Sequence, residues 1–141
     1  MRRLDDDAII LVRQFRYPTF EKGPGWIVEL PAGMVEGGED PEHSIRRELI
    51  EEVGYEPSHL EFVGDFYVSP GGSSERLFLY YVEVSEATRV ASGGGLSDEG
   101  EDIEIVEVAL ENLVNQLRRG ELKDAKTIIG AQWLMVRSAS L

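Results

Sequence analysis

Glu48, Glu51 and Glu52 stand at positions i, i+3 and i+4 of the stretch RRELIEEVGY, residues 46–55. On a helix this spacing puts three carboxylates on one face. Like charges so placed disfavour a helix by roughly a few tenths of a kcal/mol, so something should offset them. Arg47 can pair with Glu51 at i, i+4, and a bound divalent cation would neutralise the rest. Hard oxygen ligands of this kind suit Mg²⁺ or Mn²⁺ rather than zinc. A second acidic stretch, SDEGEDIE at 97–104, follows the glycine-rich run SGGGL. By composition alone both stretches are better read as solvated charged surface.

The elements that must position these acids can be read around them. AIILVRQFRY (8–17) and WIVEL (26–30) are predicted strands, with a Gly- and Pro-rich turn, TFEKGPG, between them. PAGMVEGGED (31–40) is a predicted loop. The acids then fall on a predicted helix that Asp40 caps and Pro41 opens. Ile45, Leu49 and Val53 give it an apolar face, and Gly54 is placed to end it in a left-handed conformation. Because that apolar stripe points elsewhere, the acidic face need not be buried. Strands are predicted at 60–69, 76–84 and 103–110, and helices at 111–120 and 124–138. Residues 85–100 read as a polar loop. Strands, a helix, more strands and closing helices imply an α+β domain, a mixed β-sheet packed between helices in an α/β/α sandwich-like arrangement. Tyr17 and Trp26 are expected in the core, as aromatics on strands usually are. His43 and His59 are expected at the surface.

The bulk figures narrow the classes. A chain of 141 residues fits one domain, taken here as 1–141. Its net charge is −13 and it shows no basic patch, which argues against a nucleic-acid partner. It also argues that an anionic substrate would need a cation to bridge it to the protein. With no cysteine, disulfides and thiolate metal sites are excluded, and a cytoplasmic setting is the default. No apolar run is long enough for a membrane span, so no membrane association is expected.

Reading outward from the acids gives Gly33, five residues, Glu39, seven residues, then Arg47 to Tyr55. This matches G-x5-E-x7-R-E-U-x-E-E-x-G-U (U apolar) at every defined position, and the chain therefore resembles the Nudix hydrolases. So many fixed positions over one short stretch make coincidence improbable. The resemblance implies the Nudix fold, and hydrolysis of a nucleoside diphosphate linked to another moiety with Mg²⁺ held by the box helix (Mn²⁺ as a substitute). Glu48, Glu51 and Glu52 would be metal ligands. Glu51, Glu52 and Arg47 would belong to the catalytic set, with Glu51 either ligating or held by Arg47.

Further segments resemble one branch, the ADP-ribose and nucleoside diphosphate sugar pyrophosphatases. In ELPAG (29–33) the Ala32 carbonyl would reach a metal. In SPGGSSER, Pro70 falls sixteen residues after Gly54, the proline position associated with ADP-ribose hydrolysis, and Pro70, Gly71 and Arg76 would contact substrate. Arg76 would either meet a phosphate or pair with acids. Arg16 in VRQFR is either a strand-end charge or a phosphate or ribose contact. Aligned on EDI, Glu101 matches a loop metal ligand and Glu99 the general base, with Asp98 as its alternative. The resemblance runs from about Ile10 to Leu134 and includes GEL-KDAKTI and AQWL near the C-terminus.

ADP-ribose, cleaved to AMP and ribose 5-phosphate, is then the leading substrate, and GDP-mannose-type sugars are the alternative. A non-catalytic nucleotide-sugar sensor is the reading from another class, and the retained box carboxylates argue against it. A homodimer is implied by the branch. Its N-terminal subdomain is expected to be absent or truncated here, with even the first strand of the sheet shortened.

Overall fold

The computed structural model describes residues 1–96 and 102–139. Its architecture is organised by one strand, β2 (Ala8–Phe15), whose first five residues are all buried. Ile9 and Leu11 enter one core, and Ile10 and Val12 the other. Strand side chains alternate across a sheet, so an unbroken apolar run marks a strand covered on both faces.

On one edge β2 pairs antiparallel with β6 (Ile103–Ala109), from Ala8 opposite Ala109 to Gln14 opposite Ile103. On its other edge it pairs antiparallel with the two-residue β1 (Arg2–Arg3) at its start and with β3 (Trp26–Glu29) at its end. β1 runs parallel to β5 (Arg76–Val84), which pairs antiparallel with β4 (Leu60–Tyr67) across a bulge between Phe62 and Gly64. The sheet is therefore mixed, as the sequence implied.

On one face lie α2 (Pro41–Glu48) and a π-helical turn (Leu49–Val53); Leu49, Val53 and Tyr55 pack with Ile10, Val12, Val82 and Val84. On the other lie α3 (Leu110–Arg118) and α4 (Ala125–Ala139), whose Leu113, Ala131 and Leu134 pack with Ile9, Leu11 and Tyr81. The sandwich-like α+β arrangement is thus present.

Two expectations fail here. Tyr17 is 74% exposed and Trp26 38% exposed, so neither is a core residue. β2 stops at Phe15, and Pro18 sits at the start of a single helical turn, α1 (Tyr17–Phe20), where its fixed φ is suited. That turn carries Tyr17 off the sheet. Trp26 lies on β3, which among the described residues pairs with β2 alone, and it packs edge-on against Phe15 with the Arg13 guanidinium 4.8 Å from its ring centre. His43 and His59 are exposed, as expected.

Short as it is, β1 carries a junction. The buried Arg3 side chain donates to Asp6 (2.9 and 2.8 Å), Glu107 (2.8 and 2.6 Å), Glu86 (3.0 Å) and the Tyr55 hydroxyl (3.2 Å). Its bonds to Asp6 and Glu107 hold the Arg3 pKa above the ordinary arginine range, and Arg3 in turn lowers that of Asp6. A depressed carboxylate pKa stabilises the fold above the ordinary carboxylate value and ceases to do so as pH falls through the lowered one. Arg3→Met should lower the melting temperature by roughly 5 °C or more at neutral pH, read by circular dichroism. An unchanged melting temperature would show the junction to be dispensable.

Candidate active site

The box helix starts as the sequence indicates. Asp40 Oδ1 accepts the Glu42 N–H at 2.8 Å, and Pro41 occupies the first turn. The helix then departs from regular geometry. After Glu48 it widens into the π turn, in which the Gly54 N–H reaches back five residues to the Leu49 carbonyl, and it ends at Gly54 with φ +82°. Single π turns inside helices recur at functional sites.

The acidic face, which the sequence left free to be exposed, is largely covered. Glu52 is 2% exposed and Glu48 8%, because residues 31–35 fold across them. Glu52 Oε2 accepts the Ala32 N–H at 3.0 Å. Glu48 occupies the space a side chain at position 33 would need: a Cβ on Gly33 would lie 1.8 Å from Glu48 Cδ. The buried Ser44 hydroxyl donates to the Met34 carbonyl at 3.1 Å and holds the same segment to α2.

Arg47 gathers the other box acids. It meets Glu48 at 2.9 Å, Glu51 at 3.2 Å and Glu39 at 3.7 Å. Burial opposes its charge, but these carboxylates outweigh that and raise its pKa. Glu51 is thus paired with Arg47.

Among the described residues no three acids converge on one point that could hold a metal ion. The donor set still fits Mg²⁺. That ion is usually held by one or two carboxylates, with water and substrate phosphate completing an octahedron. Glu48 and Glu52 are preplaced oxygen donors, the Glu48 carboxyl filling the space that a side chain at Gly33 would need. Glu99 and Glu101, with Asp98, lie outside the described residues.

Ala32 and Gly33 also line a cavity of about 430 Å³ between α2 and the β4–β5 hairpin. Its walls are mostly apolar, including Leu30, Ile45, Leu49, Phe66, Phe78 and Tyr80, and the cations lining it are Arg76 and Lys126. Arg76 pairs with Asp65 and lies 5.0 Å from the Phe78 ring centre, so it is paired on the hairpin rather than with the box acids. Arg16 Nε meets Glu29 at 2.7 Å. Pro70 and Gly71 line a separate depression at the hairpin tip with Tyr67 and Ser73, apart from the residues lining the main cavity.

Sequence reasoning missed Lys126 and Glu29. Glu29, 3% exposed, is held between Arg16 and Lys126, and Asp124 meets Lys126 at 3.1 Å. Asp124 also accepts the Thr127 N–H and hydroxyl, and Thr127 Oγ1 accepts the Leu30 N–H at 2.9 Å. The start of α4 is thus tied to the segment that covers the acids. The signal available was the charged, cap-like KDAKT stretch, whose partner lies nearly a hundred residues away in sequence.

Comparison with known proteins bears on the family. The sequence model of the NUDIX domain matches residues 2–129. A GDP-mannose pyrophosphatase of Pectobacterium atrosepticum is 41% identical over 132 residues, covering 92% of this chain and 67% of that protein. GDP-mannose pyrophosphatases of Cronobacter sakazakii and Citrobacter koseri are 39% and 36% identical, each with 68% of its length covered. With its box complete, its acids seated and its whole sheet inside the matched region, this chain belongs to the Nudix hydrolase family.

Proposed function

We propose that the chain hydrolyses the pyrophosphate bond of a nucleoside diphosphate sugar, releasing a nucleoside monophosphate and a sugar phosphate. The observation that carries this reading is the pair of buried carboxylates, Glu48 and Glu52, fixed through Gly33 and Ala32 to the wall of an apolar cavity. Buried acids with no catalytic or metal role are costly features for a fold to keep.

Glu48 and Glu52, with the Ala32 carbonyl, would hold Mg²⁺. When bound, that ion neutralises phosphate charge and lowers the pKa of the attacking water. The rest falls to this chain's own groups. Arg47 restrains Glu48 and Glu51 so that their repulsion does not splay the site. Arg76 and Lys126 place positive charge on a cavity in a protein of net charge −13, and they are the groups suited to phosphate oxygens. The apolar walls exclude water from the body of the substrate. Glu99 is proposed as the base that takes the water's proton and Glu101 as a further ligand, both on the family resemblance.

Among substrates, GDP-mannose is placed first, because the relatives found carry that activity in their names. ADP-ribose is second, on the position of Pro70. The test is product analysis by chromatography over a panel of nucleotide sugars with Mg²⁺ or Mn²⁺. The expected result is turnover of GDP-mannose at least about tenfold above ADP-ribose, or roughly 1.4 kcal/mol of discrimination. The reverse order would put ADP-ribose first. No turnover of any member would sink the enzymatic reading in favour of the sensor.

A further inference from the structure

The last turn of the box helix is gripped from outside by its own backbone carbonyls. A helix end leaves carbonyls without intrahelical partners, and here residues 90–95 supply them. The Val90 and Ala91 N–H groups donate to the Gly54 carbonyl at 2.8 and 3.1 Å, the Gly94 N–H to that of Glu52 at 2.8 Å, and the Gly95 N–H to that of Glu51 at 3.0 Å. The strap runs back along the helix end and takes the carbonyls in reverse order.

The two acids are therefore held from both sides. Their side chains reach Arg47 and Ala32, while their peptide carbonyls are bonded to Gly95 and Gly94. The contact needs glycine. Gly93, Gly94 and Gly95 have φ of +71°, +104° and +80°, which L side chains rarely adopt. A Cβ on Gly93 would lie 2.7 Å from the Glu52 carbonyl oxygen, and one on Gly54 would lie 2.2 Å from that of Ala91. The two backbones fit only because both lack side chains at the crossing.

We propose that Gly93, Gly94 and Gly95 are positioning residues for the catalytic acids: their backbone clamps the peptides of Glu51 and Glu52 and so fixes where those carboxylates stand. This rests on the metal-dependent reading above, but part of its test does not depend on turnover. In Gly93→Ala, kcat should fall about 10²-fold and half-saturating Mg²⁺ should rise about tenfold, with KM changed by less than about threefold. Gly64→Ala, where a Cβ would meet nothing within 4 Å and φ is not positive, should leave all three unchanged.

Hydrogen exchange on the unaltered full chain supplies the readout without catalysis. The Gly94 and Gly95 amides should be protected by roughly 10²-fold over open amides, and further when Mg²⁺ is added. If Gly93→Ala does not fold, that exchange result decides. Exchange at open-amide rates, protection indifferent to Mg²⁺, or a folded Gly93→Ala with ordinary kcat and Mg²⁺ dependence would each overturn the proposal. If the unaltered protein cleaves no nucleotide sugar, the functional reading fails while the exchange measurement still tests the clamp.

Discussion

Turnover should fall about 10³-fold when Glu52 is replaced by glutamine, a loss of about 4 kcal/mol of transition-state stabilisation, while the protein stays folded. The substitution is nearly isosteric. The amide oxygen of glutamine can still accept the Ala32 N–H that Glu52 Oε2 accepts at 3.0 Å. What disappears is one negative charge at a site 2% exposed, where a charge neutralised by a cation is worth far more than it is in water. Steady-state rates across a Mg²⁺ titration, with thermal circular dichroism alongside, make the comparison. Near-normal turnover at saturating Mg²⁺ would remove Glu52 from the machinery, whatever happened to stability.

Gly33→Ala is expected to have the second largest effect, by a different route. The new methyl would stand 1.8 Å from Glu48 Cδ and 1.9 Å from its Oε1, distances that non-bonded atoms do not reach. Either Glu48 leaves its seat, straining or breaking its 2.9 Å contact with Arg47, or residues 31–35 lift away from α2 and uncover the acid. Overpacking of this kind typically costs about 1–3 kcal/mol of stability. The misplaced carboxylate should add a loss of about 10²-fold in kcat. Gly37→Ala is the control, since a Cβ there meets nothing within 4 Å and its φ is not positive. A destabilised Gly33→Ala with full activity would make the Glu48 seat mere scaffolding.

The difference between these two variants marks what the sequence discloses and what it leaves out. That Glu52 shares a face with Glu48 and Glu51 was legible from their spacing, because a helix face is a local property, while its proposed role came from the resemblance of the surrounding motif. The cap at Asp40 and the left-handed end at Gly54 were legible for the same reason. The burial of Glu48 and Glu52 was not, because the segment that covers them is a loop whose path no periodicity encodes. The π turn was equally hidden: four-residue apolar spacing fits an α-helix as well, and the widening is settled by tertiary packing. Tyr17 and Trp26 were misplaced because strand composition does not say where a strand stops or which strand forms an edge. Glu29 and Lys126 were overlooked because each is an ordinary charged residue until the fold brings them together.

The position of β2 also governs the order in which the molecule can assemble. Its pairing with β6 joins residues roughly ninety to a hundred positions apart, from Gln14 with Ile103 to Ala8 with Ala109, and β1 reaches as far as Val84 for its parallel partner. Such distant pairings close long loops before they return any contact energy, so they form slowly. The box helix is local and able to coil early. The surface that buries its Leu49 and Val53 exists only once β2, β5 and β6 have met. Catalytic competence should therefore arrive with the slowest folding phase rather than with the first helical signal, and a chain still growing toward β6 would display its acids before it could use them.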